Sequence, residues 1–507
     1  MRIAVTLARH DALFPLDRIS ALAPFLRVAR ILARGRGRAV PRPGERLAAA
    51  LGELGPSFIK LGQILSTRAD LFGDEITADL ASLQDRLPPF PGREARALIE
   101  AEFAEPVAKL FAEFDDEAVA AASIAQVHFA RTTEGGAVAV KVLRPGIAEA
   151  FARDLDLFFW LATLVERLQP ALRRLKPVEV VRTLADVVQI EMDLRFEAAA
   201  ASELAENFAG DPSFRVPRVD WRRTGRTVLT LERISGIRID DRAALVAAGH
   251  RIEDLLAKAA GAFFNQVFRD GFFHGDLHPG NMFVAADGAL VVVDFGIMGR
   301  LDRMTRYYLA DMLLGFLSGD YRRVAEVHFA AGYVPSRRSI DAFTQACRSI
   351  GEPIFGKPLQ EISIARLLAQ LFQVTEQFEM ETQPQLLLLQ KTMVLVEGIG
   401  RRLDPEANIW ALGQPLIEAW MYENRGPEAR LRQGIETLIE TAERVPQLVQ
   451  SLERLVTTWS REGVMLHAET LMANAAHRAR GLIFAMIPLW AAAAALVAIA
   501  VVLALGR

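Results

Sequence analysis

One cysteine in 507 residues, Cys347, excludes a disulfide framework and a zinc site built on several thiolates, and it suits a reducing compartment. Net charge is also scarce: 59 Lys and Arg against 62 Asp and Glu leave −3. Without a basic surplus there is no global argument for a nucleic-acid partner. The first residues lack an uninterrupted apolar stretch, because Arg9, His10, Asp11, Asp17 and Arg18 break it, so they do not read as a secretory signal. Internal repeats are missing, and so are low-complexity tracts apart from alanine richness. What the chain does have is apolar mass. At 51% apolar residues it can bury a two-lobed core with additional elements.

Two stretches bear on membranes. Arg18, Arg27, Arg30, Arg34, Arg36, Arg38, Arg42 and Arg46 stand among Leu, Ile, Phe and Val. Such a basic amphipathic helix either lies on anionic lipid or packs its apolar side on the domain. Gly481 to Leu505 is an uncharged run of 25 residues, past the roughly 20 that span a bilayer. His477, Arg478 and Arg480 precede it, and Pro488 and Trp490 lie near its start. The run predicts a single transmembrane helix, with the preceding domain on the cytoplasmic side by the positive-inside rule.

The order of patterns gives five parts. Residues 1–50 read as a basic helical leader, and 51–112 as helices punctuated by Gly55-Pro56 and Pro88-Pro89. Residues 113–231 mix short β-prone runs with inserted helices. There Ala125–Ala130 and Ala137–Val142 form a hairpin about Glu134-Gly135-Gly136, helices are expected over 147–168 and 178–208, and Thr227–Leu231 forms a further strand. Residues 232–480 read as a helical lobe interrupted by a second hairpin, Met282–Val284 and Ala289–Val293, turning at Asp287-Gly288. Residues 481–505 form the membrane span. The interface between the two lobes is a natural place for a nucleotide.

The chemistry concentrates in His274-Gly275-Asp276-Leu277-His278-Pro279-Gly280-Asn281. Asp276 and Asn281 are spaced as in a kinase catalytic loop, where the Asp takes a hydroxyl proton and the Asn binds metal. Asp294-Phe295-Gly296 follows after just the hairpin that returns Asp294 beside Asn281. Two oxygen ligands there suit Mg²⁺, which takes its remaining ligands from phosphate and water. Alone, Asp-Phe-Gly is more often a turn and His-x-Asp is weak; together, with this hairpin, they predict metal–phosphate chemistry. Val138-Ala139-Val140-Lys141 ends a β-prone run, as does the lysine that pairs with α/β-phosphates and a helix glutamate. Glu191, Asp193 and Glu197 are candidate partners. On one helix Glu191 and Glu197 would point about 120° apart, so one acid could face Lys141 and another a different cation.

At these residues the chain resembles the UbiB family of atypical, kinase-like proteins, as a bacterial member. Lys60-Leu61-Gly62-Gln63 matches a K-x-G-Q element, and Glu191-Met192-Asp193 an E-x-D element. Ala120-Ala121-Ala122-Ser123-Ile124-Ala125-Gln126-Val127-His128 matches an alanine-rich loop in place of a glycine-rich one. The resemblance runs from about Leu51 to Gly299. It implies an α+β, two-lobed protein-kinase-like fold with a helical N-terminal extension, here followed by a C-terminal transmembrane helix. Relatives often carry two such spans, whereas this run has room for one.

The resemblance also implies roles. Lys141 would contact phosphate and pair with Glu197, while Lys60, Gln63, Glu191 and Asp193 would form a polar cluster over the pocket. Asp276 would be the catalytic Asp, Asn281 and Asp294 would hold Mg²⁺, and Glu232 would mark the hinge that binds adenine of ATP through backbone groups. Ala121 and Ala122 would limit backbone approach to the phosphates, with Ser123 supplying a hydroxyl contact. The implied work is ATP-dependent support of ubiquinone biosynthesis at the bacterial inner membrane, with membrane lipids, polyprenylated quinone precursors and other proteins of that pathway as partners. No Ala-Pro-Glu sequence follows Asp294-Phe295-Gly296, so a peptide-docking platform is not expected.

Overall fold

A computed structural model describes residues 2–13, 28, 42–66, 74–80, 83, 88–168, 176–353, 374–375, 377–380, 383–407 and 409–425. The apolar run 481–505 and most of the arginine-rich stretch 18–46 lie outside the described residues. Among the described residues no helix is long and apolar enough to cross a membrane.

Helices α1 (Arg2–Arg9), α2 (Pro43–Leu54), α3 (Pro56–Leu65) and α4 (Asp74–Leu80) come first. Gly55 separates α2 from α3 at φ +114, a value that favours glycine, and Pro56 takes the first turn of α3, where a missing N–H costs nothing. These helices share a core with α7 (Ile147–Leu168) and α8 (Pro177–Glu191), built on Leu51, Phe58, Leu80, Phe151, Phe158 and Leu184.

Between them lie α5 (Gly92–Phe103), α6 (Val107–Leu110), β1 (Phe111–Ala121), β2 (Ala125–Thr132) and β3 (Ala137–Leu143). With β5 (Val228–Glu232) these strands make an antiparallel sheet in the order β1-β2-β3-β5. Alternation along β3 decides what the sheet does. Val138, Val140 and Val142 are buried with Ile99 of α5, so Lys141 belongs to the opposite face. The two predicted hairpin arms are present, but β1 was not anticipated. Its acidic sequence Phe111-Ala112-Glu113-Phe114-Asp115-Asp116-Glu117 is exposed at most positions and lacks period-2 patterning, as an edge strand allows.

A second departure concerns 178–208, expected as one helix. It is two, α8 and α9 (Leu194–Asn207), because Asp193 takes extended backbone and its side chain accepts the Arg195 N–H as an N-cap. Glu191 and Glu197 therefore stand on different helices, and the 120° argument does not apply.

The second lobe holds β4 (Phe214–Arg215), β6 (Ile237–Arg238), α10 (Arg242–Ala247) and α11 (Ile252–Phe264). The short strands β7 (Phe272–His274), β8 (Met282–Val284), β9 (Leu290–Val292) and β10 (Met298–Arg300) follow. Strands β8 and β9 form the predicted hairpin within the order β4-β9-β8-β6, and Gly288 supplies its positive φ of +78. Beyond it come α12 (Arg303–Ser318), α13 (Tyr321–Ala330), α14 (Ile340–Gly351) and α15 (Pro384–Leu403), with Asp302, Asp320 and Ser339 capping the first three. The main core joins Phe263, Phe264, Phe268 and Phe273 to Leu290, Val292, Leu389 and Val396.

Candidate functional site

A three-residue ionic knot joins the first lobe to the second. Lys141 Nζ donates to both carboxylate oxygens of Glu197, at 2.7 and 2.9 Å, and to Asp294 Oδ1 at 3.1 Å. Strand β3, helix α9 and the turn after β9 supply one member each. Burial opposes the charge on Lys141, yet Asp294 and Glu197 outweigh it and hold the ammonium above the ordinary lysine range. Lys141 in turn holds Asp294 well below the usual carboxylate range. Burial pushes Glu197 up, and Lys141 pulls against it. Asp294 keeps 51% of its side chain exposed, which leaves it free to meet a ligand. Its φ of +66 lies in the left-handed region that Asp tolerates better than most residues.

The loop of residues 274–281 is tied to the segment before Asp294 through His274. Its Nδ1 accepts the Asp276 N–H at 3.1 Å, so the ring proton resides on Nε2, which lies 3.3 Å from the Val293 carbonyl. Burial lowers the His274 pKa, which keeps the ring neutral in this role. Asn281 Nδ2 donates to the Asp276 carbonyl at 3.2 Å, and the Asn281 carbonyl accepts the Val293 N–H at 3.0 Å. The hairpin thus brings Asn281 alongside the residue before Asp294. Asn281 keeps its amide oxygen and Asp294 its second carboxylate oxygen outside these bonds. Two such hard oxygen donors fit a Mg²⁺ that draws its other ligands from phosphate and water.

Lys60 of α3 donates to Glu191 Oε1 at 2.8 Å, with 9% and 7% of the two side chains exposed. Gln63, three residues on, shares that helix face and is half-buried. Asp193 departs from the expected cluster: it caps α9 and binds the Arg195 guanidinium at 2.6 and 2.9 Å.

The alanine segment is a tight turn between β1 and β2. The Ala122 N–H is bonded to the Ala125 carbonyl at 2.8 Å, and the Ala122 carbonyl accepts Arg144 at 2.8 and 3.1 Å. Ala121 pairs with Gln126 across the strands. Ser123 is 1% exposed, and its buried Oγ has no hydrogen-bond partner among the described residues. Glu232 ends β5; its N–H donates to the Arg218 carbonyl at 2.8 Å, and its carboxylate accepts from Arg218 Nε at 3.1 Å.

Glycine at Ala121 or Ala122 removes a Cβ and relaxes this turn. ATP affinity is expected to rise about tenfold, through one or two added backbone hydrogen bonds less the entropy of glycine. Titration calorimetry reads this, and weaker binding in both variants with unchanged circular dichroism would assign the methyl groups to packing instead.

Sequence reasoning missed Lys391, whose Nζ donates to Asp276 Oδ1 at 2.9 Å. The signal was its isolation, since it is the only charged residue from Pro384 to Val396.

Comparison with known proteins agrees with this geometry. Residues 82–328 match the ABC1 atypical kinase-like domain and residues 347–408 the UbiB helical domain. A "Probable protein kinase UbiB" from Marinobacter nauticus is 46% identical over 413 residues, covering 80% of this chain and 76% of that one. A protein of the same name from Xanthomonas euvesicatoria is 43% identical over 476 residues, covering 90% and 83%. Among solved structures, a Mycobacterium tuberculosis chain in complex with erythromycin aligns with TM-score 0.51 at 24% identity, over 79% of this chain and 98% of that one, a likeness of fold. From its kinase-like cleft and the extent of these matches, the chain belongs to the UbiB family of atypical kinase-like proteins.

Proposed function

We propose that the chain binds Mg·ATP in this cleft and acts as an atypical kinase or ATPase. The observation that carries the reading is the bond of Lys141 to both Glu197 and Asp294, which aims one ammonium between a helix and a metal-ligand candidate. Bound there, Mg²⁺ would neutralise charge on the transferring phosphoryl group. Asn281 and Asp294 would hold the ion, Lys141 would grip the nucleotide phosphates, and Asp276 would take the proton of the attacking hydroxyl or water. In this reading the buried Lys60–Glu191 pair would crowd the side from which a peptide approaches, favouring water or a small acceptor.

The substrate side of the reading is ubiquinone biosynthesis: polyprenylated precursors, drawn from the inner membrane, would be acted on or presented to other proteins of the pathway. A second reading, phosphoryl transfer to a protein or lipid, is favoured by the relatives' name of probable protein kinase. A nucleotide-binding scaffold is disfavoured, because Lys141, Asp276, Asn281 and Asp294 are all retained. Incubating the purified chain with γ-labelled ATP and membrane lipid extract separates these. Free phosphate supports an ATPase, labelled lipid or protein a kinase, and the absence of both overturns enzymatic phosphoryl transfer.

The same reading places 481–505 across the inner membrane as a single-pass anchor. Deleting 481–507 is expected to release the chain from membranes, or leave it removable by salt, since a span holds far more firmly than a surface helix. Resistance of the truncated chain to alkaline carbonate would place the anchor elsewhere.

A further inference from the structure

Helix α15 is fixed beneath the catalytic loop. Its Leu389, Val396, Ile399 and Leu403 are buried in the main core, and Thr392 is fully buried. A Cβ on Gly275 would come within 2.8 Å of Leu388 Cδ1, so helix and loop meet at van der Waals distance there. Three residues on, and hence on the same helix face, Lys391 meets Asp276 at 2.9 Å. One face of α15 thus engages two successive residues of the loop. The ion pair keeps 47% of Lys391 and 27% of Asp276 exposed. A pair this open contributes little to stability, so stability does not account for the single charge on this stretch of helix.

We propose that Lys391 is a catalytic residue whose ammonium touches the transferring phosphoryl group beside Asp276, an inference that rests on the Mg·ATP reading above. In the reaction, the bond from the γ-phosphorus to the ADP oxygen breaks with its electron pair leaving on ADP. The bond to the acceptor oxygen forms, and the acceptor's proton passes to the Asp276 carboxylate. Charge then spreads over the equatorial oxygens of the phosphoryl group, where a cation already in place stabilises it without reorganisation. Lys141, tied to Glu197, serves the nucleotide; Lys391, tied to Asp276, serves the acceptor end. The helical segment that follows the kinase-like domain thereby completes the active site.

The test measures turnover and Mg·ATP affinity of the full chain in the lipid-supplemented assay. Lys391→Met is expected to lower kcat about 100-fold, with Mg·ATP affinity within about threefold of the unaltered chain. Lys391→Arg, which keeps the charge, should recover about tenfold of that loss, and neither variant should change the melting temperature. Full turnover in Lys391→Met beside an inactive Asp276→Asn overturns the proposal and leaves the Mg·ATP reading standing. An affinity loss that accounts for the whole effect, or no rescue by arginine, also overturns it. Absence of Mg·ATP turnover in the unaltered chain overturns both.

Discussion

Asp294→Asn is expected to weaken Mg²⁺-dependent ATP binding by about 100-fold or more, roughly 2.7 kcal/mol. Asparagine also tolerates the left-handed φ of +66 found at Asp294, so the backbone can stay as it is. Lys141 retains Glu197, so its ammonium keeps its main support. What disappears is one charged oxygen at a hard cation that has few protein ligands, and such ions depend on ligand charge. Calorimetric titration with ATP, with and without Mg²⁺, isolates the effect. Equal Mg·ATP affinity in the variant and the parent would remove Asp294 from the metal site.

Lys60→Met is expected to destabilise the fold by about 3–5 kcal/mol, the range for breaking a buried ion pair from one side. The remaining Glu191 would be 7% exposed without its cation, and its Oε2 already has no hydrogen-bond partner among the described residues. Adding Glu191→Met should return most of the loss, because the uncompensated charge is then gone. Chemical denaturation of the single and double variants measures this. A loss below about 1 kcal/mol in Lys60→Met would show the pair to be solvent-screened. The Lys60 variant should also admit bulkier acceptors, its own chain included, read as label incorporated from γ-labelled ATP.

The parts of this site that were legible in the sequence are those held by short, local geometry. Asp276, Asn281 and Asp294 are linked by one loop and one hairpin, so their spacing already encodes their proximity. Lys141 was legible because valines alternate around it, which fixes its face. The Lys141–Glu197 pair was not deducible from periodicity, since it depends on a helix break that one cap residue creates. Strand β1 was hidden by its acidic, exposed composition. Lys391 lies 115 residues from Asp276, and no pattern in a single sequence predicts a contact at that separation.

The break at Met192-Asp193 also bears on how such a site can change over generations. In one continuous helix, a single inserted residue would turn everything beyond it by about 100°, so the acid beneath the cover could not move without the acid at Lys141. Here α8 ends before α9 begins, and Asp193 restarts the second helix on its own terms. Insertions or repacking in α8 would shift Glu191 and its grip on Lys60 while Glu197 stays opposite Lys141. The Lys60–Glu191 pair and the Lys141–Glu197 pair can therefore be altered separately, each from its own helix.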